Sequence, residues 1–180
     1  MCIRDRVASV IAERAPGIAI SLSSEVQPEF REYERLSTTV LNAYLQPVMG
    51  HYLQTLEEEV ASRAPSATLG INQSSGGLMS PARARELPVR TALSGPAAGA
   101  IGAAHVAGQT GRRNVITLDM GGTSADVALI RNYKVDLAFD RDVAGFPIRL
   151  PSVDVETVGA GGGSIAWFDR DGLLLSLIHI

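Results

Sequence analysis

Residues 117–127 read Thr-Leu-Asp-Met-Gly-Gly-Thr-Ser-Ala-Asp-Val, so Asp119 and Asp126 bracket two glycines, Gly121 and Gly122, and two hydroxyls, Thr123 and Ser124. The apolar run Asn114-Val115-Ile116-Thr117-Leu118 precedes them and Val127–Ile130 follows. The pattern predicts a buried strand that delivers a carboxylate to a Gly-Gly turn, with a second carboxylate opening the return strand. Paired glycines let a backbone approach an anion closely and turn its N–H groups toward it. Two flanking carboxylates suit a hard divalent cation of the kind a nucleotide brings in with its phosphates. Asp119 is thus the expected ligand of the cation or of its water. Gly121 and Gly122 are the expected N–H donors, and Thr123 and Ser124 add hydroxyls. Asp126 reaches the metal shell or braces the hairpin, two readings that the residues leave open. This is the chemistry of a phosphate cradle, and it points to a nucleotide user.

Other residues of chemical type have plainer readings. Gly161, Gly162 and Gly163, within the run Gly159–Ser164, are expected to form a backbone wall against the ligand. Gly76-Gly77 fits a plain turn or a cleft-lining loop equally well. Ser94 reads as a helix cap, because no G-x-S-x-G elbow surrounds it. His51 and His105 lack a histidine or cysteine partner at metal-site spacing, so zinc is not expected. Trp167 beside Phe168 reads as core.

The elements that must position the turn follow from periodicity. Val7–Ala15 reads as a helix closed by Pro16-Gly17, and Ile18–Leu22 as a short strand. Leu36, Val40, Tyr44, Val48, Tyr52, Leu56 and Val60 recur every four residues, which predicts a long amphipathic helix from about Glu32 to Arg63, kinked at Pro47. Ala67–Asn72 is expected as a strand leading to the turn Gln73–Gly77, and Pro88–Leu93 as extended chain. Ser94-Gly95-Pro96 opens a helix of small residues that runs to Ala107. Further strands are expected at Asn114–Asp119, Asp126–Ile130, Lys134–Phe139, Val153–Thr157 and Ser164–Phe168.

The 180 residues suffice for a domain with a sizeable core. A net charge of −3, 46% hydrophobic residues and no basic block argue against a nucleic-acid surface. No apolar run approaches the roughly 18 residues of a membrane span, and no secretory signal is legible, so a cytoplasmic location is the expectation. The peptides at residues 1–6 and 175–180 look like translations of the two strands of one sequencing adapter, as at the ends of reading frames on short metagenomic contigs. On that reading 7–174 is an internal piece of a longer protein, and Cys2 and His179 are not native residues.

Five stretches taken in order resemble the hydantoinase A/5-oxoprolinase family. They are Ser23-Ser24-Glu25-Val26 with Arg31–Arg35 and Ser37-Thr38-Thr39; Asn72–Ser80; Ser94–Ala104; Asp119–Asp126; and Gly159–Ala166. The resemblance implies an α/β fold: a partial ribonuclease-H-like domain with mixed sheet and packed helices, similar to the ATPase domains of actin, sugar kinases and heat-shock chaperones. In such domains ATP sits in a cleft between two lobes. It also implies ATP and Mg2+ as cofactors and a cyclic amide such as 5-oxoproline or a hydantoin as substrate. A B-type subunit or domain is the implied partner, and relatives serve as ATP-hydrolysing subunits of acetone and acetophenone carboxylases. Two departures stand out: the family's first D-x-G-G-T turn is absent, and Glu156 stands where many relatives carry histidine.

Overall fold

The computed structural model describes residues 3–177. Cys2 and His179 lie outside them. The helices are α1 (Ile3–Arg14), α2 (Ser23–Val26), α3 (Glu32–Arg63), α4 (Pro81–Glu86) and α5 (Ser94–Gln109), with a 3-10 turn at Pro88–Thr91. The first strands are β1 (Ile71–Asn72), β2 (Leu78–Met79), β3 (Asn114–Met120), β4 (Ala125–Arg131) and β5 (Lys134–Val135). β6 (Leu137–Val143), β7 (Phe146–Val153), β8 (Val155–Val158), β9 (Ile165–Phe168) and β10 (Leu174–Leu177) complete the chain. Residues 3–94 with 138–151 form one compact unit, and 95–137 with 152–177 form another. No described helix is long and apolar enough to cross a membrane.

In the first unit α3 has the predicted bounds, but its apolar stripe is not its buried face. The apolar stripe faces outward: Tyr44 is 75% and Val48 68% exposed, and Leu36, Val40 and Tyr52 are exposed as well. The buried face carries Thr38 and Asn42, both 0% exposed, and Leu53. Asn42 explains this. Its Nδ2 donates to Ser21 Oγ and to the Glu86 carbonyl, both at 2.9 Å, and its Oδ1 accepts from the Val89 N–H at 3.3 Å. Thr38 Oγ1 accepts from the Arg149 N–H at 3.0 Å and donates to the Glu34 carbonyl. Irregular segments pack on this face, and their buried backbone groups need partners that apolar side chains cannot supply. Replacing Asn42 by Leu would orphan the Val89 N–H, while the Glu86 carbonyl keeps its bond from Gln46 Nε2 at 2.9 Å. The substitution is expected to lower unfolding stability by about 1–3 kcal/mol, the scale of one buried group left unsatisfied, as measured by chemical denaturation.

Two apolar clusters complete this unit. Val26, Leu87, Val89, Ile148 and Leu150 form one, and Leu53, Met79 and Ala84 form the other. Three local expectations change here. Ile18–Leu22 is not a strand, only Ile71–Asn72 of the 67–72 run pairs, with Leu78–Met79, and the supposedly extended Pro88–Leu93 begins as a 3-10 turn. Pro88 pre-sets the φ of that turn, and buried Pro88 and Val89 anchor it.

In the second unit β4 is the central strand. It pairs antiparallel with β3 on one edge and with β5 and β8 on the other. α5 covers one face, where Ala97 and Ala100 pack on Ala128, Val153 and Val155. These small residues permit the close helix–sheet approach read from the sequence. Ser94 is the first residue of α5 itself, and Leu93 just before it has a positive φ of 59°. The run expected as one strand at Val153–Thr157 is divided between β7 and β8, and Lys134–Phe139 between β5 and β6. β9 pairs antiparallel with β10. Trp167, expected in the core, is 44% exposed.

Candidate functional site

The antiparallel register of β3 and β4 sets Asp119 directly opposite Asp126, with Met120 opposite Ala125. Residues paired across a ladder project to the same face, so both carboxylates share the face that also carries Thr117, Ala128, Val155 and Thr157. The sequence spacing thus places the two acids side by side at the end of the hairpin, as expected. α5 crosses this face, and its smallest residues leave a gap. A cavity of about 260 Å3 is lined by Pro96, Gly99, Ala100 and Ala103 of the helix and by Thr117, Asp119, Asp126, Ala128 and Val155 of the sheet. A Cβ built on Gly99 would meet no atom within 4 Å. The room at that position is therefore empty space that a larger residue would fill.

The two carboxylates differ. Asp126 Oδ1 accepts a 2.6 Å hydrogen bond from Thr157 Oγ1 on β8, and Thr117 Oγ1 ties the strands together by accepting from the Ala128 N–H at 3.0 Å. Asp119 is exposed, and its carboxylate has no hydrogen-bond partner among the described residues. Thr157 therefore holds Asp126 in place, while Asp119 stays available. Sequence reasoning did not select Thr157 or Gly99. A hydroxyl two residues beyond an exposed-strand start and a glycine in an alanine-rich helix carry no signal until the register is known.

The turn itself closes with the Gly121 N–H donating to the Ser124 carbonyl at 2.9 Å. The backbone N–H groups of Gly122 and Thr123 at its tip donate to no acceptor among the described residues. Neither Gly121 nor Gly122 has a positive φ, so the turn does not need glycine for its backbone angles. A Cβ on Gly122 would meet nothing within 4 Å.

Gly161, Gly162 and Gly163, expected as a backbone wall against the ligand, come to the same place. The Gly162 N–H donates to the Gly121 carbonyl at 2.9 Å and the Gly163 N–H to the Gly122 carbonyl at 2.8 Å. The Gly161 N–H donates to Ser164 Oγ at 2.9 Å. All three donors are occupied, and the loop stacks backbone on backbone against the turn. A Cβ on Gly161 would lie 2.6 Å from the Gly121 oxygen, and one on Gly163 would lie 2.9 Å from the Gly122 oxygen. The glycine run is thus required by close approach to the Asp119–Asp126 hairpin, whose shape it fixes.

The remaining candidates lie elsewhere. Glu156 pairs with Val127 and so projects from the opposite face to Asp126. Gly76 and Gly77 belong to the first unit, where the Gly77 carbonyl accepts from the Gln73 N–H at 2.8 Å in a plain hairpin turn. His105 contacts Gln109 one turn along α5, and His51 is exposed on α3.

The chain is similar to known proteins. The Hydantoinase/oxoprolinase family model matches residues 35–175. The caprolactamase subunit alpha of Pseudomonas jessenii is 41% identical over 172 residues, which are 94% of this chain and 24% of that protein. The crystal structure of ATP-dependent caprolactamase from Pseudomonas jessenii superposes with a TM-score of 0.80 at 39% identity, over 96% of this chain and 25% of the other. A nucleotide-free structure of acetone carboxylase, from work on ATP-dependent acetone carboxylation, gives a TM-score of 0.74 at 30% identity over 98% of this chain and 25% of the other. The chain spans about a quarter of the length of these relatives. Its α/β architecture is theirs, in keeping with the expected actin-like ATPase class. The chain belongs to the hydantoinase/oxoprolinase family.

Proposed function

We propose that the Asp119–Asp126 hairpin is a nucleotide-phosphate site, and that a protein of the relatives' length carrying this segment couples ATP hydrolysis to the opening of a cyclic amide. One observation carries the reading: two in-register carboxylates flank a turn with unbonded N–H groups at its tip, beside a cavity that a small-residue helix keeps open.

The residues fit Mg2+ and ATP. Asp119 offers a free hard-oxygen ligand, and Asp126 keeps one carboxylate oxygen beside its bond from Thr157. No group of three or more His, Cys, Asp or Glu side chains able to hold a metal occurs among the described residues. That suits magnesium, which draws most of its octahedral shell from water and phosphate oxygens. The cavity lies just below the roughly 300–1,000 Å3 usual for small-molecule sites, so it receives part of a nucleotide. At the turn beside it, the Gly122 and Thr123 N–H groups would orient phosphate oxygens, and Thr123 and Ser124 would add hydroxyls. Gly161–Gly163 hold the turn rigid, which matters because phosphoryl transfer depends chiefly on positioning and charge neutralisation. Bound ATP would supply the drive that an unstrained amide needs: the carbonyl oxygen would take the γ-phosphoryl group as ADP leaves, water would add to the activated carbon, the ring nitrogen would leave as the amine, and a second water would cleave the acyl phosphate to acid and phosphate.

The B-type subunit or domain is the proposed partner; the relative named as an alpha subunit supports it. The test is ATP hydrolysis by a relative-length protein in the presence of caprolactam, 5-oxoproline or a hydantoin. Stimulation by one of these amides is expected. Hydrolysis that responds only to a ketone with bicarbonate would assign the protein to the carboxylase type, a reading that the likeness to acetone carboxylase favours.

A further inference from the structure

Arg90 is a cation without a counter-charge. It sits on the 3-10 turn Pro88–Thr91, fixed in place by buried Pro88 and Val89. Its Nε is buried and has no hydrogen-bond partner among the described residues. No carboxylate pairs with it in any described ion pair. Burial and the positive charge of Arg83 both disfavour its charged form. Arg83 has its own partner, Glu86, at 2.6 Å. An arginine cannot shed its proton at ordinary pH, so a buried guanidinium N–H with no acceptor is an expensive arrangement unless something else fills it.

The Arg90 side chain also lines a pocket. A cavity of about 100 Å3 is lined by Arg90, Gln73, Ser75, Leu150 and Pro151, all in the first unit. Ser74 bolts the Gln73–Gly77 loop to this place: its N–H and Oγ both donate to the Arg90 carbonyl, at 2.8 and 2.7 Å, and its Oγ also contacts the Ala92 carbonyl at 2.5 Å. The bolt holds Gln73 and Ser75 on the lining of the pocket that Arg90 shares. One Gln73 amide hydrogen bonds the Leu78 carbonyl, which leaves the other for a ligand. Leu150 and Pro151 form an apolar wall that lowers the local dielectric and strengthens an ionic contact. The volume equals about three waters at roughly 30 Å3 each, which suits one carboxylate or phosphate group and excludes a whole nucleotide.

We propose that Arg90, with Ser75 and Gln73, forms an oxyanion-binding pocket that takes a carboxylate or phosphate group. It is separate from the Asp119–Asp126 turn and does not depend on the reading of that turn. The forked guanidinium matches two oxygens at once, which a lysine does not.

The test uses the 180-residue chain labelled with 15N, and follows arginine Nε–Hε resonances during separate titrations with inorganic phosphate and sodium acetate at constant ionic strength. One resonance, missing in Arg90→Lys, is expected to shift saturably with a dissociation constant on the order of 1 mM or tighter. The anion that binds more tightly identifies the source as phosphate or carboxylate. A shift with neither anion, or one that survives unchanged in Arg90→Lys, overturns the proposal. Arg90→Met gives an independent reading: in anion-free buffer it should melt no lower than the parent chain, because it removes a half-buried charge with no ion-pair partner among the described residues, and phosphate or acetate should no longer raise its midpoint. A midpoint several degrees below the parent would make Arg90 a structural residue and overturn the pocket.

Discussion

Asp119→Asn in a relative-length protein is expected to lower ATP turnover by about 100-fold or more, the scale of losing a preorganised charge-stabilising group, with the thermal midpoint unchanged. The structure separates the two effects cleanly. The Asp119 carboxylate is exposed and bonds to no described residue, so asparagine keeps its shape and removes only the charge offered to the cation. Asp126 is different, because its oxygen is held by Thr157. Steady-state ATPase assays beside thermal melts make the comparison, and a parallel loss of stability in Asp119→Asn would mark the residue as structural.

Two glycine substitutions are expected to fail in opposite ways. Gly161→Ala puts a methyl 2.6 Å from the Gly121 carbonyl oxygen, with the Gly122 backbone at 2.7–2.8 Å. Neither partner is a flexible side chain, so the loop must leave the turn. The cost is expected to reach or exceed the ~1–3 kcal/mol typical of overpacking, with nucleotide binding lost along with it. The Cβ of Gly122→Val meets no protein atom within 4 Å, and the position needs no left-handed backbone. The variant should fold with nearly parental stability, apart from the modest effect of a β-branched residue in a turn, yet lose ATP affinity, because the side chain occupies the phosphate approach. Calorimetric titration with Mg-ATP, run beside denaturation curves, resolves the pair. Parental affinity in Gly122→Val would remove the cradle assignment.

The parts legible in the sequence were those governed by long periods or by adjacent residues. α3 and α5 emerged with nearly their observed limits, since thirty or so residues of period-four spacing and a Ser-Gly-Pro start are strong local signals. The pairing of Asp119 with Asp126 followed because a short turn between two apolar strands fixes the register. Facts set by distant segments were not legible. The apolar spacing of α3 does not tell which face is buried: Thr38 and Asn42 are, because residues 21, 86, 89 and 149 bring their backbone or hydroxyl groups to them. The role of Gly161 depends on forty residues of intervening chain bringing its loop against Gly121, so its composition alone suggested only a wall against ligand. Arg90 gave no signal at all, because an arginine flanked by Val89 and Thr91 looks like any surface cation until its Nε is found buried.

The most direct measurement is a crystal structure of a relative-length protein carrying this segment, bound to magnesium and a non-hydrolysable ATP analogue. Phosphate oxygens about 3 Å from the Gly122 and Thr123 backbone nitrogens, with the metal or its water at Asp119, are the predicted result. Phosphates bound elsewhere, with residues 121–124 facing only solvent, would contradict the account.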